Sequence, residues 1–174
     1  DHLRCWFQVA CAIDHNCRSR WLPPLAHWRR NNSTLTLLRP RKIVPNMRTN
    51  SLKEKLNAGH STIGPFVNAP SPQLVEMMGW LGFDFVIIDC EHGSMDYETA
   101  ENMIRAAELS GTTPIVRIGM NVQQHIQRYL DAGAQGVLIP LINNGDDARR
   151  VVDSVKYPPM GQRGPFGGRG AQFG

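Results

Sequence analysis

Asp89, Glu91 and His92 stand within four residues of one another, directly after the apolar run Phe85-Val86-Ile87-Ile88 and just before Gly93. An imidazole titrates near working pH and suits proton transfer. Ionised groups are costly inside an apolar strand, so they collect where such a strand emerges into solvent. In α/β proteins the carboxyl ends of parallel strands are where ligands and catalytic groups gather. The three residues therefore read as a polar cluster at the mouth of a site. The competing reading is a strand that simply stops, with Asp and Gly serving as turn residues.

The elements that must position this cluster repeat along the chain. Apolar runs at 62–67, 83–89, 114–118 and 136–140 predict four strands. A strand covered on both faces reads as a continuous apolar run, as the second one does. Each is followed by a helix with apolar residues at i, i+3, i+4 and i+7. The first carries Leu74, Met77, Met78 and Leu81, and the second Ala100, Met103, Ile104 and Ala107. The third carries Val122, Ile126, Tyr129 and Leu130, and the fourth Ala148, Val151, Val152 and Val155. The methionines at these spacings read as core. Ser71-Pro72 and Asp96 are helix starts, and Asn121-x-x-Gln124 resembles a capping box. Gly82, Gly111 and Gly133 are the matching stops.

Alternating strands and helices with short loops imply a parallel sheet with right-handed crossovers. A doubly wound open sheet and a (β/α)₈ barrel compete. After the first strand the chain reads Asn68-Ala69-Pro70-Ser71-Pro72, which is no dinucleotide fingerprint, and no Walker A sequence occurs. That favours the barrel. The fold class expected is α/β, a partial TIM barrel of about four β/α units, where a complete one takes eight units and about 250 residues.

The formal net charge of +4 conceals an asymmetry: residues 1–46 carry +6 and residues 47–174 carry −2. Residues 1–46 read as an irregular basic leader outside the domain, which spans 47–174. The leader could meet nucleic acid or a membrane surface by charge, but it has no motif for either. Cys5, Cys11 and Cys17 lack the C-x₂₋₄-C pairing of a structural zinc site, and His2, His15 and His27 do not complete one. A transit peptide fits its arginines, yet Pro23-Pro24, Pro40 and Pro45 leave no amphipathic helix. The chain does not begin with Met, and Met47 precedes a helix start at 50–56. No apolar run reaches the roughly 18 residues of a membrane span, so no membrane and no nucleic acid partner is expected, and the location read is cytoplasmic.

Several stretches together resemble the HpcH/HpaI aldolase family, metal-dependent class II aldolases acting on pyruvate and related 2-oxo acids. They are Gly82-Phe83-Asp84, Ile88-Asp89-Cys90-Glu91-His92, Val116-Arg117, Leu130-Asp131-Ala132-Gly133-Ala134, Val137-Leu138-Ile139-Pro140 and Tyr157-Pro158-Pro159-Met160-Gly161-Gln162-Arg163-Gly164. The resemblance implies retro-aldol cleavage of a 4-hydroxy-2-oxo acid to pyruvate and an aldehyde. A divalent cation (Mg²⁺, Mn²⁺ or Co²⁺) would chelate the 2-oxo acid in the complete protein. His92 corresponds to the base, and Arg117 to the arginine that stabilises oxyanion charge. Asp131 corresponds to the acid that raises the basicity of the histidine. Asp89 and Glu91 would orient metal-bound waters or His92. The family's metal-ligating Glu and Asp lie on later strands, beyond Gly174, so no metal ligand is assigned in this chain.

Asp131 ends a helix and so belongs at the amino ends of the strands, away from His92. A neighbouring subunit could bring the two together, and a homo-oligomer with shared sites follows as the expected assembly. Three other readings stay open: a citrate-lyase-like enzyme acting on acyl-CoA thioesters, a non-catalytic truncated fragment, and a metal-dependent hydrolase using His92. The chain alone is expected to be inactive.

Overall fold

The structure, a computed structural model, describes residues 9–10 and 48–173. Its strands are β1 (Val9–Ala10), β2 (Phe66–Val67), β3 (Phe85–Asp89), β4 (Thr113–Arg117) and β5 (Gly136–Leu138). Its α-helices are α1 (Ser51–Asn57), α2 (Pro72–Trp80), α3 (Tyr97–Ser110), α4 (Gln123–Asp131) and α5 (Gly145–Val155), and a 3₁₀ turn spans Arg169–Ala171. The sheet order is β1-β5-β4-β3-β2. The pairs β2–β3, β3–β4 and β4–β5 are all parallel, and each strand lies beside its successor. A doubly wound sheet reverses its strand order at a switch point. None occurs among these four strands, and α2 packs on α3, α3 on α4 and α4 on α5. The chain forms four successive β/α units in barrel order.

Register separates the two faces of the sheet. Val86, Ile88, Val116 and Val137 point to the helices and join the main core with Met103, Ile104, Ile126 and Leu130. Ile87 and Ile115 point the other way, into the concave face, with Phe85, Leu138 and Leu52 of α1. Helix α1 closes the amino end of that face. Its N-cap Asn50 accepts from Lys53 N and donates from Nδ2 to the Gln135 carbonyl at 3.0 Å, and Ser51 Oγ lies 3.2 Å from Thr113 Oγ1.

The first strand is shorter than its apolar run. Pro65 has no N–H to give a ladder, and Gly64 passes so close to β3 that a Cβ there would lie 2.2 Å from the Phe85 carbonyl oxygen. The caps at Ser71 and Asp96 form as expected, accepting from Leu74 N and Thr99 N. Gly82, Gly111 and Gly133 adopt φ of 88°, 79° and 109°, where a side chain is strained.

Three expectations fail. The capping box at Asn121 is absent: Val122 is the N-cap of α4 with no side-chain bond, and Asn121, anchored by Nδ2 donating 3.1 Å to the Asp147 carbonyl, keeps its Oδ1 buried without a partner. On α2 the buried residue is Val75, while Met77 and Leu81 are exposed, since Gly79 and Val75 set the face that packs on α3. On α5, Val151 and Val155 are buried and Val152 is exposed. Within the segment read as irregular, Val9–Ala10 pair antiparallel with β5. The rest of that reading of residues 1–46 lies outside the described residues. No described helix is long and apolar enough to cross a membrane.

Candidate functional site

Strand β3 ends on Asp89, and β4 ends on its register partner Arg117. Both belong to the concave face, since they follow Ile87 and Ile115 by two residues. The pair is bidentate: Arg117 donates Nε to Asp89 Oδ1 at 2.8 Å and Nη2 to Oδ2 at 2.5 Å. Asp89 is only 3% exposed. Its Oδ1 also accepts from the amides of Glu91 and His92, each at 3.1 Å. A short carboxylate bonding amides two and three residues on is the turn that a strand-end Asp forms readily. Gly93 closes the turn, for a Cβ there would sit 2.3 Å from the Asp89 carbonyl oxygen.

The charges follow from these contacts. Burial pushes the Asp89 carboxyl up, but the Arg117 hydrogen bond and the two turn amides outweigh it and hold it below the usual carboxylate range. The Asp89 hydrogen bond, opposed by burial, raises Arg117 above its ordinary value. Glu91 Oε2 lies 3.3 Å from Arg117 Nε and 3.8 Å from His92 Nε2. The His92 side chain is 70% exposed and the Glu91 side chain 18%. The strand-end cluster thus closes into a chain of contacts, Asp89 to Arg117 to Glu91 to His92, facing solvent at the carboxyl ends of β3 and β4.

Arg117 Nη1 meets no protein acceptor among the described residues. One face of its guanidinium lies over the Phe66 ring, 5.0 Å from the centroid. Phe66 was not among the residues picked out from sequence. The available signal was parity: in β2 it takes the concave side, whereas Val67 is buried against the helices. Cys90 turns toward the main core, and burial raises its thiol, which argues against thiolate chemistry.

Asp131 is not part of this cluster. It ends α4, at the amino end of the sheet, where Arg163 Nη2 donates to its Oδ1 at 2.7 Å. Sequence reading gave Arg163 no role, although it lies in a quoted stretch. No group of three or more His, Cys, Asp or Glu able to hold a metal ion occurs among the described residues. Asp89 has both oxygens taken by Arg117 and the turn amides, which leaves it a poor metal ligand.

Residues 62–170 match the family model for HpcH/HpaI aldolase/citrate lyase. Over 115 residues the chain is 36% identical to the 4-hydroxy-2-oxo-heptane-1,7-dioate aldolase of Salmonella dublin, covering 66% of this chain and 44% of the relative. The pyruvate aldolase of Rhizobium etli is also 36% identical, with 66% and 45% covered. The solved HpcH/HpaI aldolase from Desulfitobacterium hafniense superposes with a TM-score of 0.67 at 35% identity, over 71% of this chain and 48% of that one. The citrate synthase SbnG superposes with a TM-score of 0.65 at 37% identity, over 67% and 48%. The chain spans less than half the length of these relatives.

Proposed function

Because the chain belongs to the HpcH/HpaI aldolase/citrate lyase family, we propose that its protein is a carbon–carbon lyase that cleaves a 4-hydroxy-2-oxo acid to pyruvate and an aldehyde. The single observation that carries this reading is the Asp89–Arg117–Glu91–His92 cluster at the carboxyl ends of two adjacent parallel strands.

In this reading His92 accepts the proton of the substrate's 4-hydroxyl. The C4–O bond becomes the aldehyde carbonyl, the C3–C4 bond breaks, and its electron pair enters the enolate of pyruvate. The charge falls on the 2-oxo oxygen, where Arg117 Nη1 donates. The imidazolium then returns its proton to C3, which becomes the methyl group. Asp89 works through Arg117: by holding Nε and Nη2 it leaves one amino group aimed outward. A preset donor at the point of developing charge stabilises the transition state without reorganising. Glu91 stands between the arginine and the imidazole, with its Oε2 3.3 Å from Arg117 Nε and 3.8 Å from His92 Nε2.

Family resemblance adds a divalent cation in the complete protein. The described residues do not fit such a site, because no cluster of ligating side chains occurs among them and both oxygens of Asp89 are engaged. Asp131 is held by Arg163 at the far end of its own sheet, so a role beside His92 requires a second copy of the chain. A small-molecule 2-oxo acid and an aldehyde are the partners in this reading, in a homo-oligomer with shared sites.

A citrate-lyase-like reaction on acyl-CoA thioesters is the second reading, supported by the citrate synthase neighbour. Pyruvate release separates the two. The protein that carries this chain is expected to release pyruvate from a 4-hydroxy-2-oxo acid, with His92→Ala slower by about 10²–10⁴-fold. Folded protein that releases none, or that cleaves only a thioester, overturns the reading.

A further inference from the structure

Asp131 stands where a carboxylate does nothing for its helix. It is the last residue of α4, and the negative end of the helix dipole disfavours an anion there. Arg163 answers that charge. Its Nη2 donates to Asp131 Oδ1 at 2.7 Å, and the two side chains are only 9% and 22% exposed. Asp131 Oδ2 meets no donor among the described residues. Asp131 also lines a groove of about 720 Å³ between α3, α4 and residues 166–173, in which Phe166 and Phe173 are 63% and 77% exposed. One oxygen is fixed from within its own subunit, and the other is left without a partner at an open groove.

Arg163 is itself firmly held. The turn from Tyr157 to Arg163 is tied to the end of α5: Gln162 N donates to the Asp153 carbonyl at 2.7 Å, and Arg163 N to the Lys156 carbonyl at 2.9 Å. Gly161 permits that approach, because a Cβ there would lie 2.5 Å from the Lys156 carbonyl oxygen. The Arg163 guanidinium lies 4.8 Å from the centre of the Tyr157 ring. Its Nε is buried without an acceptor. Native proteins keep few unmet buried donors, so the hydrogen bonds of Arg163 alone do not account for its placement. What the placement supplies is a bond to Asp131 from a fixed direction.

We propose that Arg163 is the positioning residue for Asp131, setting the carboxylate that a second copy of the chain receives beside its His92. The inference rests on the shared-site reading above and adds the group that orients Asp131 within its own subunit. A guanidinium suits the task, since its donors form a fixed planar fork and it stays charged at every working pH. A carboxylate bonded through one oxygen loses rotational freedom, while its second oxygen can still accept from a donor on the partner.

The test is pyruvate release by the protein that carries this chain, singly and in co-expressed pairs of variants. Arg163→Gln should lower kcat on the order of 10- to 100-fold, the cost of misplacing a supporting group, with KM little changed. Co-expression with His92→Ala separates positioning from folding. Some mixed sites combine the His92 of the Arg163→Gln copy with the Asp131 and Arg163 of the other, about a quarter of all sites for random pairing. Activity should therefore return well above that of either variant alone. Asp131→Asn with His92→Ala is the control and should recover to a similar extent. Where Arg163→Gln folds poorly, Arg163→Lys decides in the same mixture, since it keeps the charge and loses the fork. Arg163→Gln at the wild-type rate overturns the proposal, as does a mixture that stays inactive while the Asp131→Asn control recovers. Failure of both mixtures overturns the shared site, and no pyruvate from wild type the lyase reading; the inference falls with either.

Discussion

Arg117 is gripped from three directions: Asp89 along one edge, Glu91 beside Nε, and the Phe66 ring under one face. The ring contributes twice, as an apolar floor and through attraction of its negative face for the cation. Such a contact is worth about 0.5–2 kcal/mol depending on desolvation. Phe66→Leu should therefore lower kcat and kcat/KM together by about 2- to 30-fold, since it loosens the group proposed to hold the enolate charge. Phe66→Tyr restores the ring face and should recover most of the rate. Equal losses in both variants would contradict a contribution from the ring face. Asp89 carries a pH signature. Its folded carboxyl lies below the unfolded value, so the stability it adds is present above the unfolded pKa of about 3.9 and is lost as pH falls through the lower folded value. Urea unfolding should find wild type more stable than Asp89→Asn near neutrality, with the gap closing below about pH 4. A gap that persists at pH 2 contradicts the ion pair with Arg117.

The helices owe their registers to different sources, and their caps can be tested singly. Asp96 accepts from Thr99 N at 2.8 Å, whereas Val122 begins α4 without any side-chain acceptor. Asp96→Ala should cost about 1 kcal/mol, and Val122→Ser should stabilise by a comparable or smaller amount. Thermal denaturation of the two variants checks both signs, and a stabilising Asp96→Ala would refute the assignment. The strand–helix alternation and the caps at Ser71 and Asp96 were legible because local chemistry decides them. The outward turn of Met77 and Leu81 was not. A periodic stripe gives the apolar residues of a helix but not which side meets its neighbour, and Gly79 against Ser110 settles that only in three dimensions. Asn121 misled for a related reason: a capping residue can equally bond a distant carbonyl, here that of Asp147.

At the scale of the whole molecule, the parallel order β2-β3-β4-β5 delivers Asp89 and Arg117 to one end of the sheet, while Asp131, closing α4, lies at the other. The candidate cluster was readable where it is contiguous in sequence, at Asp89, Glu91 and His92. Arg117 could be placed beside them because a parallel neighbour ends at the same mouth. Phe66 and Arg163 escaped because their partners stand far away in sequence, 51 and 32 residues off. In the proposed reaction His92 moves protons at an enolate held by Arg117. Exchange of the pyruvate methyl protons in D₂O, followed by proton NMR, isolates that step from aldehyde chemistry. The protein carrying this chain should exchange them, with His92→Ala slower by about 10²–10⁴-fold. Exchange at the wild-type rate in folded His92→Ala would contradict the claim.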